Sequence, residues 1–327
     1  MTGAVDWSIS IYGRNEAATI GDCLTSVLAA AGGRSFHVAV MLNGCTDRSA
    51  QIAAATGRGA PGVDIYTIAH ADKSNAWNQF VHRLRPPAGT YFFVDAYAAV
   101  APHSFSALAR ALAEAPGANA AAALPSSGRS APVLREAMLR DGGLHGSLFA
   151  LSSRFLDRLT QTGWRLPVGL YRGDGLINSM AVHDLGATTP WQSARVVSSP
   201  EATWRTRPQR VFRPADAVRH LRRRVRQARG RMEVAAIQDI IYRAEPEGGF
   251  GALPNWADAM LLDWMAADPA RRPTWRSNLF GMLAARNLRR TPPAEAMLVP
   301  MLSPPVRLPA RDQAGYAAPI AGTTSRA

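Results

Sequence analysis

Lysine is nearly missing from this chain: of its 37 basic residues one, Lys73, is a lysine and the rest are arginines. Cysteine is almost as scarce. Cys23 and Cys45 alone make neither a disulfide framework nor a metal cluster, so free thiols in a reducing compartment are expected. No run approaches the roughly 18–20 uninterrupted apolar residues of a membrane span. The first ten residues, MTGAVDWSIS, lack the basic region and apolar core of a secretion signal, so the cytoplasm is the expected location. Acids are also few, 24 against the 37 bases, and the net charge of +13 implies an anionic partner: a phosphate-bearing substrate, nucleic acid or anionic lipid. No nucleic-acid recognition motif accompanies that charge, so nucleic acid is not expected. Apolar residues are plentiful. At 47% hydrophobic over 327 residues, the chain can build one large domain, or one with an appendage, and wholesale disorder is excluded.

The first 125 residues alternate short apolar runs with amphipathic stretches. WSISIY (7–12), FHVAVML (36–42), VDIYTI (63–68), TYFFVD (90–95) and NAAAALP (119–125) read as strands. Helical patterns over 16–30, 46–56, 74–84 and 103–115 separate them. This alternation predicts an α/β fold, a parallel sheet with helices on both faces. Ligands of such sheets bind at the carboxyl ends of the strands. The turn Gly13-Arg14-Asn15-Glu16, then Asn43 and Asp95, all fall at that edge. After residue 126 the alternation breaks. SSGRSAP is a loop, GGLHGSLFALS (142–152) a glycine turn into a strand, and PVGLYRGDGLINSMAVHDLG (167–186) a turn, a helix and a glycine stop. WADAMLLDWMAA (256–267) is a helical piece, and the last 30 residues are expected to be loosely ordered.

Four segments, taken in order and spacing, resemble the family 2 glycosyltransferases with the GT-A fold. They are SISIYGRNEAATIGDCLTSV, FHVAVMLNGCTDRSAQIA, ADKSNAWNQ and YFFVDAYAAVAPHSFSALARAL. The resemblance covers roughly residues 7–232. It implies a mostly parallel, doubly wound sheet in a GT-A domain over residues 1–235. Residues 236–327 then form a helical and loosely ordered extension. It further implies inverting transfer of a sugar from a nucleotide-diphosphate donor, UDP being expected, to a hydroxyl of a carbohydrate or lipid-linked acceptor.

Within that frame each residue has a role to test. Asn43 offers a donor and an acceptor suited to the edge of a uracil-like base, although Asn43-Gly44 also reads as a plain turn. Gly13, Arg14 and Glu16 complete the expected base pocket, and Asp47, at a helix start, reads as structural. Lys73 can reach the donor phosphates as a point charge, or be a solvated residue at a helix start. Asp95 is expected to contact donor and metal, because the resembling family ends this strand in Asp-x-Asp and holds Mg²⁺ or Mn²⁺ there. Here the motif reads Asp95-Ala96-Tyr97, and a neutral phenol is a poor ligand for a hard ion. A histidine such as His183 or His220 is then expected to help Asp95, or metal dependence to weaken. Asp174 matches the family's general base, which takes the acceptor's proton; Gly173 stands where the family has glutamate, and a plain N-cap is the bland alternative. His145, in GGLHGS, is placed near the donor sugar or acceptor, or is a turn residue without a role.

Residues 205–231 hold eleven arginines around an apolar stripe, Val218, Leu221, Val225, Ala228 and Met232, that repeats at helical spacing. The segment reads either as a solvated face or as a peripheral contact with an anionic membrane at its inner face. The tryptophan of the family's processive Gln-x-x-Arg-Trp motif is missing, which favours single transfer. Two other classes stay open: a catalytically weakened nucleotide-sugar-binding protein, and a sugar-phosphate nucleotidyltransferase, whose Gly-rich basic loop YGRNEAA does not match.

Overall fold

The predicted runs fold as β1 (Val5–Gly13), β2 (Phe36–Asn43), β3 (Val63–Ile68) and β4 (Ala88–Asp95). All four are parallel, in the order β4-β1-β2-β3, with Tyr12 opposite Asp95 and Asn43 opposite Ile68. The computed structural model describes residues 4–186, 190–207, 214–242, 248–267, 279–290 and 305–308. Between these strands run α1 (Ile20–Ala31), α2 (Ser49–Gly57) and α3 (Lys73–Gln79), the last continuing through a π-turn at Phe80–Leu84. The predicted helix over 16–30 starts four residues late, because Glu16 to Thr19 form a turn whose carbonyl at Glu16 accepts from Thr19 and Ile20.

The second part of the chain adds β5 (Ala98–Val100), α4 (Ser104–Glu114), β6 (Ala120–Pro125), α5 (Ala131–Asp141), β7 (Leu148–Ser152), α6 (Ser153–Thr162) and α7 (Gly173–Val182). It continues with β8 (Val196–Thr206), α8 (Pro214–Ile241), α9 (Ala257–Ala267), α10 (Leu279–Arg290) and β9 (Val306–Arg307). The nine strands form one sheet in the order β5-β8-β6-β7-β4-β1-β2-β3-β9. Pairing directions make β1, β2, β3, β4, β6 and β8 run one way and β5, β7 and β9 the other, so the sheet is mostly parallel. The alternation predicts that β6 continues the parallel series, and it runs the same way as β4 without lying beside it. Strand β7 lies between them, antiparallel to both. A strand entering from the opposite direction brings its amino end, and the loop before it, to the carboxyl ends of β1, β2 and β4. The insertion positions the site.

Side chains of β4 alternate between two cores, as the pleat requires. Phe92 and Val94 face α1 and α4, packed with Ile9, Val40 and Phe105. Tyr91 and Phe93 face α3 and α6 to α10, and Phe93 stacks on Phe149 with ring centroids 4.9 Å apart. Each such aromatic is fully buried, worth roughly 1.5–3 kcal/mol relative to exposure. Asp95 follows Phe93 by two, so it opens toward the α3 side.

Helix α8 crosses residue 235 without a break. Ala228, Met232, Ala236, Ile237, Ile240 and Ile241 are buried in the same core as α7, α9 and α10. The predicted stripe therefore holds at Ala228 and Met232, but Leu221 is exposed. The side chain of Val218 lies outside the described residues, as does most of the tail expected to be loosely ordered. No described helix is long and apolar enough to cross a membrane.

Candidate functional site

Two turns at the carboxyl edge are tied to each other before any ligand enters. Asn43 is buried and its amide donates to the Gly13 carbonyl at 3.1 Å. Asn15, at φ 56, accepts from the Thr46 amide at 2.8 Å, and the Glu16 amide donates to Ser49 Oγ at 2.8 Å. Asp47 accepts from the Ala17 and Ser49 amides at 3.0 Å each, which is the structural role expected of it. Glycine is required at 13 and 44: a Cβ on Gly13 would lie 2.8 Å from that of Ala96, and one on Gly44, at φ +57, would lie 2.3 Å from that of Ala71. Arg14 is exposed at the tip of the first turn. Glu16 is half-buried, accepts from Thr19 Oγ1 at 2.8 Å, and has its carboxyl pushed up by burial.

Four of the expected residues meet beside these turns. The Lys73 ammonium, on the first residue of α3, donates to Asp95 Oδ1. Tyr97 donates to Asp95 Oδ2 at 2.7 Å, so both oxygens of Asp95 carry a donor from the chain itself. Asp174, in the first turn of α7, accepts from the Gly146 amide at 3.0 Å through Oδ2 and from the Gly175 amide at 3.0 Å through Oδ1. A Cβ placed on Gly146 would lie 3.0 Å from Lys73 Nζ, 3.1 Å from Asp95 Oδ2 and 3.5 Å from Asp174 Oδ2. One glycine therefore marks the point where ammonium and both carboxylates converge. Sequence reasoning missed Gly146; the glycines of GGLHGS were its only signal.

The charges respond to this grouping. Burial by itself would lower the Lys73 ammonium, but Asp95 and then Asp174 outweigh it and hold it above its ordinary value. Burial first, and the charge on Asp95 second, push the Tyr97 phenol up, so Tyr97 stays protonated and donates. The Lys73 ammonium also stands 6.0 Å from the centre of the Tyr12 ring, within cation–π range. Half of the Lys73 side chain (48%) is nevertheless open to solvent, against 9% for Asp95.

His145 joins this group from one side. It stacks on Trp204 at 4.8 Å between ring centroids, and its Nδ1 accepts from the Ser147 amide at 3.2 Å. Burial lowers its pKa against the opposing pull of Asp174 and Asp95. A neutral ring that accepts at Nδ1 carries its proton on Nε2.

The loop before α7 is fixed by residues the sequence did not single out. Asn78 donates to the Leu166 carbonyl and accepts from the Leu166 amide, both at 2.9 Å. Asp72 caps α3 through the Asn75 amide at 2.6 Å and accepts from the Gly169 amide at 2.8 Å. Glu233 of α8, with no exposed surface, accepts from the amides of Tyr171 at 2.9 Å and Arg172 at 3.3 Å. Arg229 donates to Glu233 at 2.8 Å, to the Gly169 carbonyl at 2.8 Å and to Asp258 at 2.5 Å. Asp174 thus starts from a loop held on three sides, and the Arg229–Glu233 spacing of four was the only local hint.

A divalent cation, expected here with Asp95, was tested against the donor set. Hard ions want several oxygen ligands at one point. Asp95 supplies the one carboxylate of its motif, with Lys73 on one oxygen and Tyr97 on the other. His183 does not help: it sits at the far end of α7, about 13 Å of helix from Asp174, where its Nε2 meets the Tyr242 hydroxyl at 2.9 Å. The side chain of His220 lies outside the described residues. Among the described residues no group of three or more His, Cys, Asp or Glu converges as a metal site. The residues present do not fit a protein-held divalent ion.

No protein-family model matches the chain, and no curated protein matches it in sequence. Solved structures do match. A mannosyltransferase of Pyrobaculum calidifontis, in complex with GDP-Man and Mn²⁺, aligns at a TM-score of 0.54 and 19% identity over 92% of this chain and 83% of that one. TarS 1-349 of S. aureus, in complex with UDP-GlcNAc, aligns at 0.51 and 12% identity over 86% and 79%. At these identities the likeness establishes the fold, a GT-A type α/β fold.

Proposed function

We propose that this chain is a glycosyltransferase that moves a sugar from a nucleotide-diphosphate donor to a hydroxyl acceptor with inversion. The observation that carries the reading is the convergence of Lys73, Asp95 and Asp174 around Gly146, at the edge of the sheet where such folds take ligands. The base lies against the turn Gly13 to Glu16, with Arg14 at its tip. Because Asn43 gives an amide hydrogen to the Gly13 carbonyl, it holds that pocket's shape as well as bordering it. UDP is the proposed nucleotide. The acceptor is a carbohydrate or lipid-linked hydroxyl, and the sheet with the helices packed on it, α8 included past residue 235, carries the transfer.

The step is a single displacement. The acceptor oxygen attacks the anomeric carbon while Asp174 Oδ2 takes its proton, and the bond from carbon to phosphate oxygen breaks with its electron pair going to the nucleoside diphosphate. Two backbone amides on Asp174 fix the carboxylate's direction, and its start-of-helix position leaves one side open. Attack from the face opposite the leaving group inverts the configuration. Lys73 balances the charge that develops on the leaving diphosphate.

The test is Asp174→Asn. It should lower transfer at least about a hundredfold, as removal of a general base does, with donor affinity nearly unchanged. Isothermal calorimetry with UDP alongside a transfer assay separates the two. Equal loss of affinity and turnover would move Asp174 to the donor side or to the fold, and intact turnover would end the reading.

A further inference from the structure

This inference rests on the nucleotide-sugar reading above. We propose that Lys73 replaces the divalent cation in this chain, so that a nucleoside diphosphate binds, and leaves, without metal. The cation is already in place. Its ammonium lies on Asp95, near the face of Tyr12 and within the reach of Asp174. A metal bound at Asp95 would have to displace that ammonium or sit against it, one positive charge beside two.

The surrounding residues fit a lysine better than an ion. Tyr97 takes the position of the second carboxylate and donates its hydroxyl to the oxygen of Asp95 that Lys73 leaves over. Asp95 thereby becomes a stay for the lysine, fixed in its rotamer from both sides. Gly146 leaves open the space over Nζ that any side chain would fill. An ammonium has three donors, of which Asp95 uses one, and half of the side chain is open to solvent. Its small, strongly hydrated charge on a flexible stem suits a pair of phosphates, whereas the guanidinium used at every other basic position is wider and planar. The lone lysine of the chain is the residue this place requires.

Calorimetry on the full chain decides it, with UDP and GDP each titrated in EDTA and again in Mn²⁺. The expected result is that one of the two binds in EDTA and that Mn²⁺ tightens it by less than about fivefold, below the usual range for coupled ligands. Lys73→Met should weaken that nucleotide by about tenfold or more, as loss of a charge-assisted contact to phosphate does. Tyr97→Asp, which puts a second carboxylate beside Asp95, should create a metal requirement, with Mn²⁺ tightening the nucleotide at least about tenfold. Binding by the natural chain that needs Mn²⁺, full affinity in Lys73→Met, or no new metal response in Tyr97→Asp each overturns the inference. If neither nucleotide binds in either buffer, the nucleotide-sugar reading itself fails, and this inference with it.

Discussion

Glu233 and Asp95 are both carboxylates held by one basic side chain. Glu233 has no exposed surface, and its partner Arg229 also donates to the Gly169 carbonyl and to Asp258. Asp95 has a partner, Lys73, that is half open. In the first pair both oxygens of the acid are taken by the protein and the base also holds a second acid and a carbonyl, so the pair holds the fold. In the second, donors are left over, so the pair can meet a ligand. Buried pairs are costly to break because one charge is stranded, whereas exposed pairs contribute about 0–1 kcal/mol to stability. A carboxylate paired with a cation is therefore structural or functional according to what closes over it.

The widest gap should appear on removing the closed pair's acid. Glu233→Ala leaves Arg229 paired with Asp258 and strands the amides of Tyr171 and Arg172, and should cost roughly 3 kcal/mol in denaturant unfolding; a loss below about 1 kcal/mol, the level of an exposed pair, would erase the contrast. An intermediate effect is expected for Gly146→Ala. The new methyl forces Lys73 Nζ and Asp95 Oδ2 aside by a few tenths of an ångström, both being ends of side chains. Stability should change by less than about 1 kcal/mol, while UDP affinity falls about tenfold or more. Unchanged affinity would remove Gly146 from the site.

The smallest effect belongs to α8 itself, whose Arg229 faces inward while Arg223, Arg224 and Arg226 are exposed. If those outward charges meet an anionic membrane, each contributes about 1 kcal/mol, screened within a Debye length of roughly 8–10 Å. Co-sedimentation with phosphatidylserine vesicles should then be seen at low salt and fade as salt rises. No sedimentation at low salt returns these arginines to a solvated face.

Legibility in the sequence follows the range of the interactions. The strands β1 to β4 were readable because burial on both faces writes each as a continuous apolar run, and the turns after them because glycine and asparagine are needed there locally. Lys73, Asp95 and Asp174 were found through their places in that alternation and through the family resemblance. Gly146 was not, because its importance depends on β7 crossing to the other side of β4, a pairing between residues about sixty apart such as Tyr91 and Leu151. Arg229 and Glu233 look like an ordinary i, i+4 pair on a solvated helix, and only the loop they hold, sixty residues earlier, distinguishes them. Tyr97 was noticed as a missing acid. Its hydrogen bond to Asp95 turns that absence into a contact.

The crossing of β7 also has a consequence in time. The β1 to β3 portion is built from successive strand–helix–strand units whose partners are near in sequence and meet quickly, whereas β4 pairs with β1, Tyr12 lying opposite Asp95, across more of the chain than separates it from β7. The join of β4 to β1, and of β6 and β8 to β4 through β7, each closes a long loop of chain and is slow for that reason. The site straddles that seam, with Lys73 on the early side and Asp95, Gly146 and Asp174 on the late one. A chain still emerging or refolding would therefore possess its nucleotide turns well before it possessed a place for the reaction, and the appearance of ligand binding would time the last docking of the sheet.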